Sequence, residues 1–199
     1  KYIGYNTDYF GFRYLLEKSD IDVAGRRCVI LGSGGASKTV SVVLQDLGAK
    51  EILEVSRTGE INYENIKECG DAEIIVNSTP VGMFPNNMKS LINLDDFPGC
   101  IGVVDLIYNP NRTKLILDAM ERGIPAVSGL GMLVAQGFKA SELFQGKELD
   151  SEEISIAIEE IRDVTLNKIL IGMPGAGKTF LGMKMAEATG REFVDIDDE

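Results

Sequence analysis

The chain has 199 residues, of which 44% are hydrophobic and 26% are charged, an ordinary globular composition that can bury a core. Its formal net charge of −11 argues against a nucleic-acid partner and an anionic membrane surface, because both are themselves negatively charged. It contains no histidine, which excludes Ser-His-Asp and Cys-His relays and a His-ligated zinc site within these residues.

The cysteines and the hydropathy pattern indicate the compartment. Cys28, Cys69 and Cys100 lie far apart and form no C-x-x-C pair, which is typical of reduced structural thiols in the cytoplasm. No apolar stretch approaches the roughly 18 residues that a membrane span needs. We therefore expect a cytoplasmic protein with no membrane partner.

The first predicted element is a helix over "TDYFGFRYLLEK", which Thr7 or Asp8 would cap. The apolar run from 28 to 31 predicts a buried strand, and the glycine turn after it leads into a helix that ends at Gly48. The apolar face of this helix has 3.6-residue spacing and consists of Ala36, Val40, Val43, Leu44 and Leu47. A strand over 51 to 56 completes a βαβ unit with parallel strands.

The same alternation continues towards residue 165. Strands are predicted in "AEIIVNSTP", "CIGVVDLIY" and "IPAVSG", and helices in "RTKLILDAMERG" and "GMLVAQGFKASELF". The second of these helices has Leu133, Gly137, Ala140 and Phe144 along one side. An acidic helix in "DSEEISIAIEEIRDV" is expected to turn Ile154, Ile158 and Ile161 inward. The pattern predicts an α/β, Rossmann-like, doubly wound parallel sheet with its ligand crevice at the carboxyl ends of the strands.

A glycine-rich turn after the first strand is a weak match to the dinucleotide motif G-x-G-x-x-[GA], because Ser37 stands where Gly or Ala is usual. The turn reads Gly32-Ser33-Gly34-Gly35-Ala36-Ser37. Such a turn lets the backbone approach a pyrophosphate at a helix N-terminus, although glycine-rich turns also occur without a ligand.

The end of the second predicted strand indicates which cofactor the turn would bind. It carries Ser56, Arg57 and Thr58, where an NAD site usually has Asp or Glu to bind the ribose. A guanidinium would pair with the 2′-phosphate, and the two hydroxyls could donate hydrogen bonds to it. The sequence therefore predicts NADP (NADPH); the alternative is that Arg57 is a solvated surface charge.

A second loop, near the C-terminus, is the stronger motif. Residues 172 to 179 fit G-x-x-x-x-G-K-[ST]. The backbone amides of Gly175, Ala176 and Gly177 would hold a phosphate of ATP, Lys178 would reach the β- and γ-phosphates, and Thr179 would bind Mg²⁺. We expect the loop to follow an apolar strand over 168 to 171 and to precede an amphipathic helix. A further strand in "REFVDIDDE" would end in carboxylates suited to a metal or a polyhydroxylated substrate.

Six ordered motifs make the chain resemble shikimate dehydrogenase from about residue 3 to residue 163. They are "GYNTDYFGF", "GSGGAS", "SRT", "NSTPVGM", "DLIYNP" and "GLGMLVAQGF". From residue 168 onward, "ILIGMPGAGKT" and "FVDIDD" look like the opening of shikimate kinase. The whole is similar to a bifunctional dehydrogenase–kinase. This implies a linker helix from a substrate domain over 1–20, an NADP-binding Rossmann domain over 21–165 and an incomplete P-loop α/β unit over 166–199.

The resemblance implies NADPH-dependent reduction of 3-dehydroshikimate to shikimate in aromatic amino-acid (chorismate) biosynthesis, joined to ATP- and Mg²⁺-dependent phosphorylation of shikimate. Asp8 matches the family's catalytic-site carboxylate, which binds a substrate hydroxyl beside a lysine, and Tyr108 and Gln136 match substrate contacts. The glycine turn and residues 56 to 58 match cofactor contacts, although Ser56 replaces the usual Asn. The remaining matches are Thr79, Leu106, Gly129 and Met132 on the nicotinamide side, Asp195 as a kinase metal ligand and Asp197 as a kinase substrate ligand.

Alternatives follow from the same residues. The family's lysine belongs to a substrate domain that we expect these residues to lack, so the chain itself is expected to be inactive. The alternative function is that of an NADP-binding module without turnover. Methylene-tetrahydrofolate-type dehydrogenases share the sheet but not the N-T-D and G-M-L-V-x-Q pair. Asp8 could simply cap its helix, Gln136 could be solvated, and Tyr108 could pack at a strand end.

Overall fold

The computed structural model describes residues 2–196. The chain folds as two compact units, Lys1–Glu159 and Glu160–Glu199, whereas the three-part division expected from the resemblance stays a prediction. The helices are α1 (Thr7–Glu17), α2 (Gly35–Asp46), α3 (Lys114–Glu121), α4 (Leu130–Gln145), α5 (Ser151–Thr165) and α6 (Lys178–Thr189). The strands are β1 (Arg27–Leu31), β2 (Glu51–Val55), β3 (Ile74–Asn77), β4 (Gly102–Asp105) and β5 (Ala126–Ser128). No helix within the described range is long and apolar enough to cross a membrane.

The five strands form one parallel sheet in the order β2-β1-β3-β4-β5. The α/β, Rossmann-like prediction is confirmed. After β1 the chain moves outward to β2 and then crosses back to β3 on the other side of β1, so the direction of winding reverses between β1 and β3. In open α/β sheets, ligands bind outside the carboxyl ends of the strands at such a reversal.

The sheet is buried on both faces. Cys28 and Ile30 of β1 belong to the cluster that includes Phe12 of α1 and Val40 of α2. The intervening β1 residues, 29 and 31, belong to the cluster that includes Leu115 of α3. A strand covered on both sides has no polar face, which is why the central strands read as continuous apolar runs.

The helix α1 begins at a different cap from the one predicted. Asn6 is the N-cap, and its Oδ1 accepts a hydrogen bond from the Tyr9 backbone N–H at 3.2 Å. Thr7 and Asp8 therefore lie within the first turn, where a carboxylate is favoured by the helix dipole. Farther along, a Cβ on Gly11 would lie 2.6 Å from the Met132 carbonyl oxygen, so glycine allows α1 to pack closely against α4.

Two predicted helix faces differ from the observed ones. On α4, Leu133 and Gly137 are exposed and Phe144 is 91% exposed, because the side that packs is formed by Leu130, Val134 and Ala135. On α5, Ile154 is buried as predicted and Ile158 is partly buried, but Ile161 is 37% exposed. The packed side of α5 consists of Ile154, Ala157 and Ile158, which belong to the cluster that includes Tyr14 and Leu130.

The described part of the second unit contains the end of α5, the whole of α6 and no strand, so the strands predicted over 168–171 and in "REFVDIDDE" are wrong for residues up to 196. A β-strand needs a neighbouring strand to receive its backbone hydrogen bonds, and residues 160–196 supply none. Local packing is nevertheless present. Gly182 leaves room for the ring of Phe193, and a Cβ at that position would also lie 3.4 Å from Leu170 Cδ1.

The backbone amides of residues 169–171 are expected to exchange with solvent much faster than those of residues 29–31. Ile169 and Ile171 are 74% and 93% exposed, whereas β1 is buried and pairs with β2 and β3. Protection rises with stable hydrogen bonding and burial. Hydrogen exchange at single-residue resolution measures this difference, and equal protection of the two segments would contradict it.

Candidate cofactor and substrate site

The turn after β1 lies at the point where the winding of the sheet reverses. Gly32 has φ +111°, and its N–H donates to the Val55 carbonyl oxygen at 2.8 Å. A Cβ at this position would lie 2.8 Å from Ser78 Oγ and 2.9 Å from Thr79 Cγ2. Only glycine has both the conformation and the size required. The predicted cofactor turn therefore lies against Thr79, which was predicted for the nicotinamide side.

The N-terminus of α2 is open in a manner that fits a bound phosphate. Gly34 is its N-cap and offers no side-chain hydrogen bond, so the first N–H groups of the helix lack a side-chain acceptor. A Cβ on Gly34 or Gly35 would meet nothing within 4 Å, and Ser33 is exposed. Free N–H groups and the positive end of the helix dipole favour an anion here. The residues present fit the pyrophosphate of a dinucleotide.

The Ser37 side chain stabilises the turn itself and is not available to a ligand. Its side chain is fully buried, and its hydroxyl donates to the Gly34 carbonyl oxygen at 2.8 Å, with Glu54 Oε2 3.4 Å away. The hydroxyl is thus directed into the protein, so a cofactor could meet only the backbone of this residue. This matches the helix–strand packing role of the third small residue in the dinucleotide motif.

The loop after β2 presents a cation at its tip. The Ser56 N–H donates to the Ile61 carbonyl oxygen at 3.2 Å, and a Cβ on Gly59 would lie 2.7 Å from Ser56 Oγ, so the loop is tight. Arg57 and Thr58 are exposed. Across residues 2–196, Arg57 forms no ion pair, which leaves its guanidinium available for an anionic ligand.

A buried polar pair joins the carboxyl ends of β3 and β4. Asn77 and Asp105 are register partners, and Asn77 Nδ2 donates to Asp105 Oδ1 at 3.0 Å. The same oxygen accepts from the Ile107 N–H at 3.1 Å, and Oδ2 accepts from Thr113 Oγ1 at 2.6 Å. Burial raises the pKa of Asp105, an effect that the hydrogen bonds from Thr113, Ile107 and Asn77 oppose. The carboxylate is fully buried, and each of its oxygens accepts at least one hydrogen bond.

The other end of the Asn77 amide holds Thr79. Asn77 Oδ1 accepts from the Thr79 N–H at 3.0 Å and from Thr79 Oγ1 at 2.7 Å. The Val81 N–H in turn donates to Thr79 Oγ1 at 3.2 Å. Sequence reasoning did not single out Asn77 and Asp105. The available signal was that two apolar runs, "IIVN" and "GVVD", end in a carboxamide and a carboxylate.

The loops after β4 and β5 meet at Leu106 and Gly129. The Gly129 N–H donates to the Ile107 carbonyl oxygen at 3.0 Å. A Cβ on Gly129 would lie 2.5 Å from the Leu106 carbonyl carbon and would overlap its oxygen. Met132, one turn into α4, packs partly buried against the core. The structure therefore places Leu106, Gly129 and Met132 on adjoining elements at the carboxyl edge of the sheet.

The N-terminus of α1 brings the predicted substrate residues Asp8 and Gln136 to one region. Thr7 Oγ1 donates to Gln136 Oε1 at 3.3 Å, and Asn6 Nδ2 donates to Thr39 Oγ1 of α2 at 3.3 Å. Asp8 is exposed in the first turn of α1, next to Thr7. Tyr108 is 49% exposed after β4, and no hydrogen bond joins it to Asp8 or Gln136 within the described range.

Asp105→Asn is expected to become more stable relative to the wild type as the pH rises from about 4 to about 7. Burial raises the pKa of Asp105 above its ordinary value of 3.8, so the folded state binds this proton more tightly than the unfolded state. The resulting stabilisation is present below the unfolded pKa and is lost as the pH rises through the folded pKa. Asparagine does not titrate. Melting temperatures of both proteins across this range measure the difference.

The matched control is Asp95→Asn, for which the opposite slope is expected. Hydrogen bonding to Arg122 lowers the pKa of the exposed Asp95, so its stabilisation is present above the unfolded pKa and is lost as the pH falls. A pH-independent difference for Asp105→Asn would contradict the prediction.

The amino-acid sequence of this chain is similar to those of several known enzymes. No protein-family model matches the chain. The shikimate dehydrogenase (NADP(+)) of Clostridium perfringens is 34% identical over 175 residues, covering 81% of this chain and 65% of that protein. The enzyme of the same description from Methanopyrus kandleri is 39% identical over 181 residues, covering 79% and 62%. This chain is homologous to NADP-dependent shikimate dehydrogenases. It spans somewhat less than two thirds of the length of these relatives.

Solved structures give the same result for the fold. A chorismate mutase/shikimate 5-dehydrogenase fusion protein from Clostridium acetobutylicum superposes with a TM-score of 0.77 at 34% identity, covering 81% of this chain and 63% of that one. Shikimate dehydrogenase 1 from Peptoclostridium difficile gives 0.76 at 35% identity, covering 82% and 64%. The Thermus thermophilus enzyme in complex with NADP(H) and shikimate gives 0.67 at 29%, covering 79% and 63%. None of these similarities is to a shikimate kinase, so that interpretation rests on the sequence motifs alone.

Proposed function

We propose that this chain forms the NADP-binding part of a shikimate dehydrogenase, which reduces 3-dehydroshikimate to shikimate. The observation that carries the proposal is the position of the glycine turn. Gly32 lies against Thr79 where the winding of the sheet reverses, in a chain homologous to NADP-dependent shikimate dehydrogenases. NADPH would supply the hydride, and the residues of this chain would bind and orient the reactants.

The cofactor would be held at three places. The open N–H groups at the start of α2, with the backbone of the turn from Gly32 to Ser37, would bind the pyrophosphate. Arg57 and Thr58, beside Ser56, would bind the 2′-phosphate at the tip of the loop after β2. The nicotinamide side would be formed by Thr79, Leu106, Gly129 and Met132.

The substrate would bind beside the N-terminus of α1. The Asp8 carboxylate would accept a hydrogen bond from a hydroxyl of the substrate. Gln136, which accepts a hydrogen bond from Thr7, and Tyr108 would contribute further polar contacts. A polyhydroxylated acid suits such a site, because each of its hydroxyls can donate to a carboxylate or an amide oxygen and accept from a phenol.

The proposal is tested by titrating the purified chain with NADPH and with shikimate, and by assaying turnover with 3-dehydroshikimate. Asp8→Asn is expected to weaken shikimate binding about tenfold while leaving NADPH affinity unchanged. Asp22→Asn is the matched control, since Asp22 lies outside the site and, among residues 2–196, accepts a hydrogen bond from the Ala24 N–H alone. Absence of turnover is expected under both functions, so the decisive outcome is shikimate binding: NADPH binding without shikimate binding would favour an NADP-binding module. Failure to bind NADPH would overturn the proposal.

A second candidate function, ATP binding, is favoured by the geometry of the second unit. Lys178 Nζ donates to the carbonyl oxygens of Gly172 and Met173 at 2.9 and 3.0 Å, so the loop curls around the ammonium group. Gly175 and Gly177 have φ +78° and +77°, which L side chains rarely adopt, and Ala176 lies between them. Glycines of this kind permit the concave set of backbone N–H groups that a phosphate loop requires, and the Ala176 N–H here donates to the Met173 carbonyl oxygen at 3.2 Å, a bond that a phosphate would have to replace.

The proposed Mg²⁺ site has two protein oxygens in contact. Thr179 Oγ1 donates to Asp195 Oδ2 at 3.1 Å, and Asp197 lies outside the described residues. Within residues 2–196 no group of three or more candidate metal ligands occurs, so phosphate oxygens and water would complete the coordination, as is usual for Mg²⁺. The more specific proposal is that a kinase that includes this unit phosphorylates shikimate.

ATP binding is tested with Lys178→Met against Lys184→Met. Lys184 pairs with Glu187 on the surface of α6 and serves as the charge-matched control. In the presence of Mg²⁺, Lys178→Met is expected to weaken ATP binding by about tenfold or more, and the control is expected to bind as the wild type does. Equal affinities in all three proteins would overturn this candidate function.

A further inference from the structure

The Asp105 carboxylate connects three separate segments at the carboxyl edge of the sheet. It accepts hydrogen bonds from the Asn77 side chain at the end of β3, from the Ile107 backbone after β4 and from Thr113 at the start of α3. Thr113 is also the N-cap of α3, where it accepts from the Ile116 N–H at 3.4 Å. Two carboxylate oxygens thus satisfy donors that are up to 36 residues apart in the chain, counting from 77 to 113.

Two of these segments lead directly to the nicotinamide side of the proposed site. Asn77 is hydrogen-bonded in turn to Thr79: the Oδ1 of Asn77 accepts from both the backbone N–H and the hydroxyl of Thr79. Ile107 is hydrogen-bonded in turn to Gly129, whose N–H donates to the Ile107 carbonyl oxygen. Leu106 lies between, and its N–H donates to the Asn77 carbonyl oxygen at 2.9 Å. Thr79 and Gly129, on the nicotinamide side of the proposed site, are therefore both linked to the Asp105 side chain through one intervening residue, Asn77 or Ile107.

Removing this carboxylate would leave hydrogen-bond donors without an acceptor at the carboxyl ends of β3 and β4. All three donors are buried or partly buried, and a buried donor that loses its partner keeps its full desolvation cost. Asn77 Nδ2 also donates to the Val81 carbonyl oxygen at 3.4 Å, so it keeps one acceptor, but the N–H that faced Asp105 and the Ile107 N–H would both need a new partner. Movement towards new partners would displace Thr79 and Leu106. Gly32 touches Thr79, but the glycine turn is held separately by the hydrogen bond from the Gly32 N–H to the Val55 carbonyl oxygen, and the described hydrogen bonds of Asp105 do not include the loop around Arg57.

We propose that Asp105 is a positioning residue, which holds Thr79 and Leu106 in place for the nicotinamide half of NADP(H) through Asn77 and Ile107. The proposal rests on the function proposed above and adds a residue to it. It predicts a selective effect: binding of the nicotinamide half depends on Asp105, and binding of the adenosine half does not.

The test compares NADPH with adenosine 2′,5′-bisphosphate, which carries only the adenosine half, by calorimetric titration of the whole chain. Asp105→Ala is expected to weaken NADPH binding about tenfold and bisphosphate binding less than about twofold. Asp105→Asn keeps one acceptor oxygen and is expected to recover most of the NADPH affinity that alanine loses. Ile74→Ala is the matched control, since it removes buried volume from the amino end of β3, and it should show no selective loss.

The outcomes separate the two proposals. Equal loss of both ligands in Asp105→Ala, or the same selective loss in Ile74→Ala, would overturn the positioning role. If Asp105→Ala does not fold, Thr113→Val and Thr113→Ser decide: valine removes one donor to Asp105 and should give a smaller selective loss, which serine restores. No selective loss in valine, or none restored by serine, would overturn the role. A wild-type chain that binds neither ligand would instead overturn the proposed function itself.

Discussion

Arg57→Asp is expected to reverse the cofactor preference of this chain from NADPH to NADH. Arg57 is exposed at the tip of the loop after β2 and forms no ion pair within the described range. A charge-assisted contact with the 2′-phosphate contributes about 1.5–3 kcal/mol, or about ten- to a hundredfold in affinity. Aspartate would repel the phosphate and accept hydrogen bonds from the ribose hydroxyls of NADH. Dissociation constants of both cofactors for both proteins measure the change.

The control for net charge is Lys50→Asp, which makes the same charge change at the amino end of β2. Lys50 is exposed and precedes the strand, so it lies at the edge of the sheet opposite the carboxyl ends. We expect this variant to keep the NADPH preference of the wild type. Equal affinity of the wild type for NADPH and NADH would contradict the prediction, as would an equal loss of preference in both variants.

Gly129→Ala is expected to destabilise the protein by about 3 kcal/mol or more, at the upper end of the range for overpacking. The φ of Gly129 is −67°, which alanine adopts readily, so the backbone conformation is not the obstacle. The obstacle is the carbonyl group of Leu106, whose carbon lies 2.5 Å from the added Cβ. A carbonyl is part of the backbone and cannot rotate away as a side chain can. Denaturant-induced unfolding measures the free-energy difference.

Gly137→Ala on the same helix is the matched control. A Cβ at Gly137 would meet nothing within 4 Å, and the position is exposed in the interior of α4. Alanine is therefore expected to stabilise the protein by up to about 1 kcal/mol through helix propensity. If Gly129→Ala were as stable as the wild type, the close approach of the two loops would not exist as described.

The sheet could be predicted from the sequence because burial on both faces leaves continuous apolar runs. β1, β3 and β4 are runs of this kind, and each is fully or almost fully buried. The cap of α1 could not be fixed in the same way, since Asn6, Thr7 and Asp8 are three adjacent candidates. The choice depends on backbone geometry, which places Asn6 outside the helix.

The face of α4 was mispredicted because both of its sides carry apolar residues. The observed packing face includes Gly131 and Ala135, small residues that contribute little to an apolar pattern but allow close packing. The strand over 168–171 was mispredicted for another reason: an apolar run specifies a strand only when a neighbouring strand can pair with it.

Part of the candidate site could also be predicted from local signals. The glycine turn and the residues at the end of β2 are contiguous in sequence, so their relation to a dinucleotide is visible without a structure. Asn77 and Asp105 are 28 residues apart, and their contact depends on the register of β3 against β4. Strand register is a property of the folded sheet, which explains why sequence reasoning did not connect them.

The glycines of the cofactor turn divide into two kinds, and this determines what mutagenesis of the turn can reveal. Gly32 lies against Ser78 and Thr79, so alanine there would disturb the protein whether or not a cofactor binds. Loss of activity in that variant carries no information about a ligand. Gly34 has φ −85° and, like Gly35, faces open space, so alanine at either position meets no steric obstacle in the apo protein; at Gly34, the N-cap of α2, it costs at most about 1 kcal/mol of stability. A folded variant at Gly34 or Gly35 that has lost NADPH affinity would report directly how closely the pyrophosphate approaches the backbone.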